Sequence, residues 1–332
     1  MIWGPKGISV IIPNLNREEE LKECLAALWS QTLPPMEIIV VDDGSTDGSE
    51  EVAMSSGCVL VQAGGGRQAN YCRNLGAARA RGELLAFFDS DTVAAPDALE
   101  VAARSLEHED VDAAVGLYAV RHRHPNPASQ YKNLWIRYSY LRSAGHIDWI
   151  FGAVSVIRKE AFLRAGGFDG TMMMTHGGED LELGKRMRTH DLRILLNPRC
   201  EVEHLKHHTL ATLLLNDLRR SEGFVRVAGK VGHLGESVTS GFVNVYPAFA
   251  YSVPLSWVLP ASGAGALLWD WGWLVFLPLL LLYAGLNGPF LAYVARHRGF
   301  IQALPVTGIL FLDHLVCAGG VMRGLLKHLA RR

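Results

Sequence analysis

Between Ser237 and Ala295 the only charged side chain is Asp270. It divides the segment into two charge-free runs, Ser237 to Trp269 and Trp271 to Ala295. An apolar helix needs about 20 residues to cross a bilayer core, and buried helices of soluble domains rarely run that far without a charge. The runs are therefore read as two membrane-spanning helices, over about 243–268 and 272–295. Trp257, Trp269, Trp271 and Trp273 suit an aromatic belt at the membrane surface. Pro247, Pro254 and Pro260 would break a soluble helix but are tolerated in a membrane helix with neighbours. Arg219, Arg220, Arg226 and Lys230 precede the first run, and Arg296 and Arg298 follow the second. Lysine and arginine favour the cytoplasmic side, so a hairpin in the inner (cytoplasmic) membrane with both ends inside the cell is expected. Residues 301–328 are apolar but contain Asp313, and a charge at a span centre costs about 2.5–3.5 kcal/mol on insertion scales. A re-entrant or interfacial helix is expected there, its basic end near anionic headgroups.

The preceding part of the chain differs in kind. The 332 residues suffice for about two domains, read as 1–236 and 237–332. Residues 1–236 carry 26 basic and 31 acidic side chains, net −5, against 6 basic and 2 acidic in the tail, net +4. The total of −1 argues against a protein that works by neutralising nucleic-acid phosphates. The five cysteines are scattered, with no CxxC or Cys/His cluster, so neither a disulfide framework nor a structural zinc site is expected. Gly4 and Pro5 lead straight into a strand-like segment, so no secretory leader is read there and the first domain is expected in the cytoplasm.

Apolar runs at 8–12, 37–41, 59–61, 84–88 and 113–117 alternate with helical patterns at 18–31, 45–56, 68–81 and 96–107. Pro13 is expected to stop the first strand, and Ser45 or Thr46 to cap the second helix. Continuous apolar strands alternating with helices imply an α/β fold with a mostly parallel sheet covered on both faces. Ligands of such sheets bind beyond the carboxyl ends of the strands, where two acidic clusters fall, Asp42/Asp43 and Asp89/Asp91. If the backbone is still extended at Asp89-Ser90-Asp91, both carboxylates point the same way. A divalent cation, Mg2+ or Mn2+, would relieve their repulsion and could hold a diphosphate. Asp42 and Asp43 can act as a turn and helix cap, or accept hydrogen bonds from a nucleobase or ribose. Gly64-Gly65-Gly66 matches no phosphate-loop fingerprint, though Arg67 and Arg73 could face phosphate. Taken alone, Glu179-Asp180 suits a helix first turn, and an isolated His204 suits a structural role.

In order and spacing these pieces resemble glycosyltransferase family 2, the inverting GT-A fold enzymes, of a membrane-anchored bacterial type. The resemblance covers about Ile8 to Lys230. It rests on Val10-Ile11-Ile12-Pro13, Val41-Asp42-Asp43-Gly44-Ser45-Thr46-Asp47, Arg73-Asn74-Leu75-Gly76, Gly82-Glu83-Leu84 and Phe88-Asp89-Ser90-Asp91. Gly166-Gly167-Phe168-Asp169 and Glu179-Asp180-Leu181-Glu182-Leu183 complete it. The resemblance implies that Asp43 recognises the base, that Pro13 and Asn16 line the nucleotide pocket, and that Arg73 and Asp89 serve the donor. It implies Asp91 as metal ligand with His204 beside it, Asp180 as the general base, and Gly152 and Glu179 in the acceptor region. It also favours UDP as the carrier. The QxxRW pattern of processive synthases is absent, so one sugar is added rather than a polymer extruded.

The segment Tyr118–Ile150, rich in His, Arg, Trp and Tyr, reads either as an amphipathic surface helix or as a segment near the bilayer that helps form the acceptor site. A membrane hairpin beside a cytoplasmic transferase points to a lipid-linked acceptor, because anchoring raises its effective concentration. Two other readings fit parts of this pattern. A nucleotidyltransferase on a similar sheet would release pyrophosphate, and a non-catalytic membrane scaffold would be expected to lack one of Asp43, Asp91 and Asp180.

Overall fold

The computed structural model describes residues 7–107, 110–143, 145–170, 179–230 and 246–330. They form two compact units, Met1–Arg123 with Ser143–Lys206, and His124–Arg142 with His207–Arg332. This division differs from the expected 1–236 and 237–332, because residues 124–142 and 207–230 group with the tail.

The first unit begins with β1 (Ile8–Asn14), α1 (Glu18–Trp29), β2 (Glu37–Asp42), α2 (Ser49–Ser55), β3 (Val59–Gln62) and α3 (Gln68–Arg79). It continues through β4 (Leu84–Phe88), β5 (Thr92–Ala94), α4 (Ala98–Ser105) and β6 (Ala113–Tyr118). After α5 (Pro127–Leu141), which belongs to the second unit, come β7 (Gly145–Ile147), β8 (Val154–Arg158), α6 (Lys159–Arg164), α7 (Glu179–Thr189) and β9 (Ile194–His204). The sheet order is β3-β2-β1-β4-β8-β6-β9-β5, with β7 paired to β9. Every residue of β1, β2 and β4 is buried, as strands covered on both faces require. β3, β2, β1 and β4 are parallel neighbours, as expected. Beyond β4 the sheet is mixed: β8 runs antiparallel to both β4 and β6, and β5 and β7 run antiparallel to β9. The sequence pattern of apolar runs marks β1 to β4 and β6 but not β5, β7, β8 and β9, whose pairings make this half mixed.

Two local expectations change. β1 continues through Pro13, which pairs with Val41, and ends at Asn14. α2 starts at Ser49 rather than near Ser45, because the Ser45 hydroxyl donates to Asp42 Oδ1 (2.5 Å) instead of capping. Asp47 Oδ1 takes the Ser49 N–H (3.1 Å) in its place.

The second unit consists of α5, α8 (Leu210–Lys230), α9 (Pro247–Leu268), α10 (Trp273–Arg298) and α11 (Phe300–Leu329). α5 is not an amphipathic surface helix: every residue from Ala128 to Tyr140 is buried. Trp135 packs on Phe249 (centroids 4.9 Å apart), and Tyr138 on Phe290 (5.4 Å) and Tyr293 (5.3 Å). Lys132 Nζ bonds Asp217 Oδ1 at 2.6 Å, and the Tyr131 hydroxyl donates to Asp313 Oδ2. Among the described residues two helices are long and apolar enough to cross a membrane, α10 and α11. α9 carries no charge, but serine, glycine, alanine and proline dilute its apolar character. Residues 243–245 of the first expected span lie outside the described residues. The helix at Phe300–Leu329 is continuous, so it does not double back as a re-entrant segment would. Asp313 is no obstacle to a crossing, because it is buried against Tyr131 inside the unit rather than facing outward.

Candidate active site

The first unit brings its acidic residues together at the strand ends. After β4 the chain turns sharply, with the Thr92 N–H and hydroxyl both donating to Asp89 O (3.2 and 2.8 Å). The backbone there is turned, not extended, so the carboxylates of Asp89 and Asp91 part company. Asp89 Oδ1 accepts from Arg73 Nη2 at 2.7 Å. Asp91 Oδ2 lies 3.7 Å from His204 Nε2. The antiparallel pairing of β5 and β9 sets Thr92 opposite His204, which delivers a residue distant in sequence to Asp91. The Leu205 N–H fixes the Asp91 carbonyl (2.8 Å), and the Tyr118 ring lies flat on His204, 4.4 Å away and tilted by 6°. Burial raises the Asp91 carboxyl, but the neighbouring His204, followed by Arg17 and Lys206, outweighs it and holds the group at about 2.

Arg73 and Asp180 meet at Gly152. Asp180 stands in the first turn of α7, and its Oδ2 accepts from the Gly152 N–H at 3.0 Å. Its Oδ1 is buried with no hydrogen-bond partner among the described residues. A Cβ on Gly152 would fall 2.5 Å from Arg73 Nη2 and 3.2 Å from Asp180 Oδ1, so only glycine leaves both groups in place. Burial pushes the Asp180 carboxyl up to about 7; the Arg73 charge opposes this, Glu179 adds to it, the Gly152 hydrogen bond opposes it, and Asp89 adds to it. Arg73 is buried, with Nε and Nη1 unpartnered among the described residues, and its guanidinium lies 5.3 Å from the Phe168 ring.

The local sequence explains this placement. In Arg73-Asn74-Leu75-Gly76 each polar or small residue has its own task. Arg73 enters the site. Asn74 clamps Phe168, donating to its carbonyl (2.7 Å) and accepting from its N–H (2.9 Å). A Cβ at Gly76 would fall 2.5 Å from Ile11 Cγ2, so glycine lets α3 settle on β1. On α7, Glu182 orients Arg186, whose Nη2 holds the Gly167 carbonyl (2.7 Å). Leu181, Leu183 and Met187 bury the other face of that helix.

The Asp42/Asp43 cluster divides between two tasks. Asp42 is committed to its turn, accepting from Gly44 N (3.0 Å), Ser45 N (2.7 Å) and Asn14 Nδ2 (3.1 Å). Asp43 caps the start of α3, its oxygens taking Arg67 N and Gln68 N at 2.8 Å each. This fixes its orientation while each oxygen keeps further acceptor capacity. Asn16 ties the two loops together by accepting from Thr46 N (2.7 Å), and Pro13 is buried within β1. The structure thus gathers Arg73, Asp89, Gly152 and Asp180 in one cluster and Asp91 with His204 in another. Pro13, Asn16 and Asp43 lie along the β1 and β2 ends, and Glu179 directly precedes Asp180. Sequence reasoning missed Tyr118 as the platform for His204; its place at the end of β6 is the signal that marks it.

Asp91 and His204 offer a carboxylate oxygen and an imidazole nitrogen, a donor set that suits Mn2+ or Mg2+. Two ligand bonds of about 2.1 Å span up to about 4.2 Å, and 3.7 Å falls within that reach. No third His, Cys, Asp or Glu joins them among the described residues, so phosphate and water oxygens would complete such a shell.

The sheet, parallel through β3-β2-β1-β4 and mixed beyond, is that of a GT-A domain. Residues 9–164, just under half of the chain, match the family model described as Glycosyl transferase family 2, and this part is a family 2 glycosyltransferase domain. Residues 133–209 also match the model described as N-terminal domain of galactosyltransferase. The chain is 35% identical over 119 residues to Glycosyltransferase GlyG of Streptococcus pneumoniae, covering 33% of this chain and 38% of that protein. It is 30% identical over 249 residues to Validoxylamine A glucosyltransferase of Streptomyces hygroscopicus subsp. limoneus, covering 63% of this chain and 55% of that protein. It thus spans about half or less of these curated relatives. Among solved structures, the mannosyltransferase PcManGT from Pyrobaculum calidifontis in complex with GDP-Man and Mn2+ superposes with a TM-score of 0.61 at 20% identity. That match covers 92% of this chain and 87% of the other, and shows a shared fold.

Proposed function

We propose that this chain is an inverting glycosyltransferase that moves a single sugar from a nucleotide-sugar donor to a hydroxyl on a membrane-held, lipid-linked acceptor. The observation that carries the proposal is Asp180. It is a buried carboxyl whose Oδ2 accepts from the Gly152 N–H, whose Oδ1 has no partner among the described residues, and whose pKa burial pushes up to about 7. That is the state a general base needs near neutral pH. Unpartnered Oδ1 takes the proton of the acceptor hydroxyl as that oxygen attacks the anomeric carbon, a contribution of typically 10²–10⁴-fold. Arg73 keeps Asp180 from rising further and holds Asp89 toward the sugar. Asp43, locked by Arg67 N and Gln68 N, faces the base with Pro13 and Asn16 beside it. Gly152 and Glu179 border the acceptor side. Asp91 and His204 would hold Mg2+ or Mn2+, which when bound offsets the charge developing on the departing diphosphate. A UDP-sugar is the donor expected from the family resemblance.

The apolar α10 and α11 support anchoring in the inner membrane with the first unit in the cytoplasm. A screen of nucleotide-sugars for Mn2+-dependent thermal stabilisation and hydrolysis, followed by lipid acceptors, tests the reading. Stabilisation by one donor in the wild type and in Asp180→Asn, with transfer lost only in the variant, supports it. Undiminished transfer by Asp180→Asn removes Asp180 as base, and no response to any nucleotide-sugar overturns the reading.

A further inference from the structure

Asp91 and His204 can share an ion only if the imidazole presents Nε2 edge-on, because the lone pair lies in the ring plane. The side chain does not secure that orientation itself, since χ2 of histidine is a broad, roughly two-fold torsion. Outer partners orient metal-binding histidines, and they matter nearly as much as the ligands do.

Here the first unit supplies a clamp built of rings. Tyr118 lies flat on His204, with centroids 4.4 Å apart and planes 6° from parallel. His122 meets the same imidazole edge-on, at 6.4 Å and 74°. Tyr118 is in turn met by Phe151, with centroids 5.0 Å apart and planes at 65°. Both aromatic residues are buried. Phe151 stands between two backbone groups tied to Asp180. The Ile150 N–H donates to the Asp180 carbonyl at 3.0 Å, and the Gly152 N–H donates to Asp180 Oδ2 at 3.0 Å. With its neighbours pinned on both sides, Phe151 is held against Tyr118.

An irregularity in the sheet brings Tyr118 to this place. β6 and β9 run parallel with Val115 beside Leu196, but the register shifts before Leu117, which lies beside Glu201. Unshifted, Tyr118 would fall beside Arg199; shifted, it falls beside Val202. Val202 and His204 are two residues apart on one strand, so Tyr118 comes alongside the face that carries His204. Gly116 sits at the shift. A Cβ there would fall 2.4 Å from Cys200 O, a backbone atom, so glycine is what admits the bulged strand so closely.

We infer that Tyr118 is a positioning residue: held by Phe151, it fixes the plane of the His204 ring so that Nε2 faces the ion shared with Asp91. The inference rests on the metal pair of the proposed function. It also gives the two clusters of the site, Asp91 with His204 and Asp180 with Gly152, a mechanical link through Tyr118 and Phe151.

The test titrates the full chain in detergent with Mn2+ alone, counting free Mn2+ by electron paramagnetic resonance. Tyr118→Leu keeps an apolar side chain but removes the ring, and should raise the Mn2+ dissociation constant about tenfold. Tyr118→Phe keeps the ring and should bind Mn2+ as the wild type does. Phe151→Leu should weaken binding about two- to tenfold, the worth of one aromatic pair. Melting curves in EDTA check that each variant is folded; where Tyr118→Leu is not, Phe151→Leu carries the test. Spin-echo modulation of the Mn2+-loaded protein adds a signature that general softening does not move. Wild type and Tyr118→Phe should show a coordinated imidazole nitrogen, and Tyr118→Leu should lose it. Wild-type affinity in folded Tyr118→Leu and Phe151→Leu overturns the inference, as does Tyr118→Phe binding no better than Tyr118→Leu. No imidazole coupling in the wild type overturns it too. If His204→Ala weakens Mn2+ binding while Tyr118→Leu leaves it intact, this inference alone fails. If His204→Ala has no effect either, the metal pair of the proposed function fails with it.

Discussion

Asp180 should impose an inflection near pH 7 on sugar transfer. With its carboxyl at about 7, it is half ionised at pH 7 and only about one-tenth ionised at pH 6. The sign is fixed by the role: a base acts when deprotonated, so kcat/KM for the donor rises with pH and levels off above about 8. From pH 7 to pH 6 it should fall about fivefold, and from pH 6 to pH 5 about tenfold more. An exposed aspartate, at about 3.9, would change the rate by less than about a tenth between pH 5 and 8. Asp91, held at about 2, stays ionised throughout and cannot mimic the effect. Initial rates at fixed Mn2+ and ionic strength, wild type beside Asp180→Asn and Arg73→Met, form the assay. Asp180→Asn should lose about 10²–10⁴ in rate and show a flat residual profile. Arg73→Met removes the cation that opposes the rise, so its inflection should move upward. A wild-type profile flat from pH 5.5 to 8, or an unchanged inflection in Asp180→Asn, would refute the reasoning.

Three other outcomes are expected. His204→Ala should raise the Mn2+ concentration for half-maximal activity by about tenfold or more while protein folding is retained, measured by titrating Mn2+ into the transfer assay. Gly184→Ala would drive a Cβ to 2.2 Å from Trp149 Cα and 2.5 Å from Asp148 O, both backbone, pushing α7 and Asp180 away from Gly152. It should cost about 1–3 kcal/mol or more in thermal or urea unfolding, with a larger proportional loss of transfer. Lys132→Met strands Asp217, which is 3% exposed and bonded to Lys132 at 2.6 Å. Destabilisation of about 3–5 kcal/mol is expected, and the double variant Lys132→Met/Asp217→Leu should recover most of it in melting experiments.

The parts of the fold legible in sequence were those written in local patterns. Ile8–Ile12, Glu37–Val41 and Leu84–Phe88 announce central parallel strands by composition alone, and their carboxyl ends locate the acids. Side-chain direction at Asp89 and Asp91 was not legible, because a turn rather than an extended strand separates them and their partners, Arg73 and His204, arrive from other elements. Neither was the commitment of Asp43 to two backbone N–H groups beyond the Gly64–Gly66 loop. The helix at 127–141 misled for a related reason. Its Lys, Arg, Asn and Gln residues suggest a wet face, yet Lys132 meets Asp217 and is buried. Charge compensation across distant sequence leaves no trace in a helical period. Asp313 misled in the opposite direction, since a hydrogen-bonded carboxyl inside a helical unit does not carry the penalty of one facing lipid.

The chain crosses from one compact unit to the other three times, near residues 123, 142 and 206. Neither unit is thus a contiguous stretch of gene. Cutting after residue 206, or at the apolar boundary near 236, would leave Tyr131, Trp135 and Tyr138 without Asp313, Phe249 and Phe290. A catalytic fragment freed of its apolar tail would carry a raw aromatic surface and tend to aggregate. The chain would have to be expressed and purified whole.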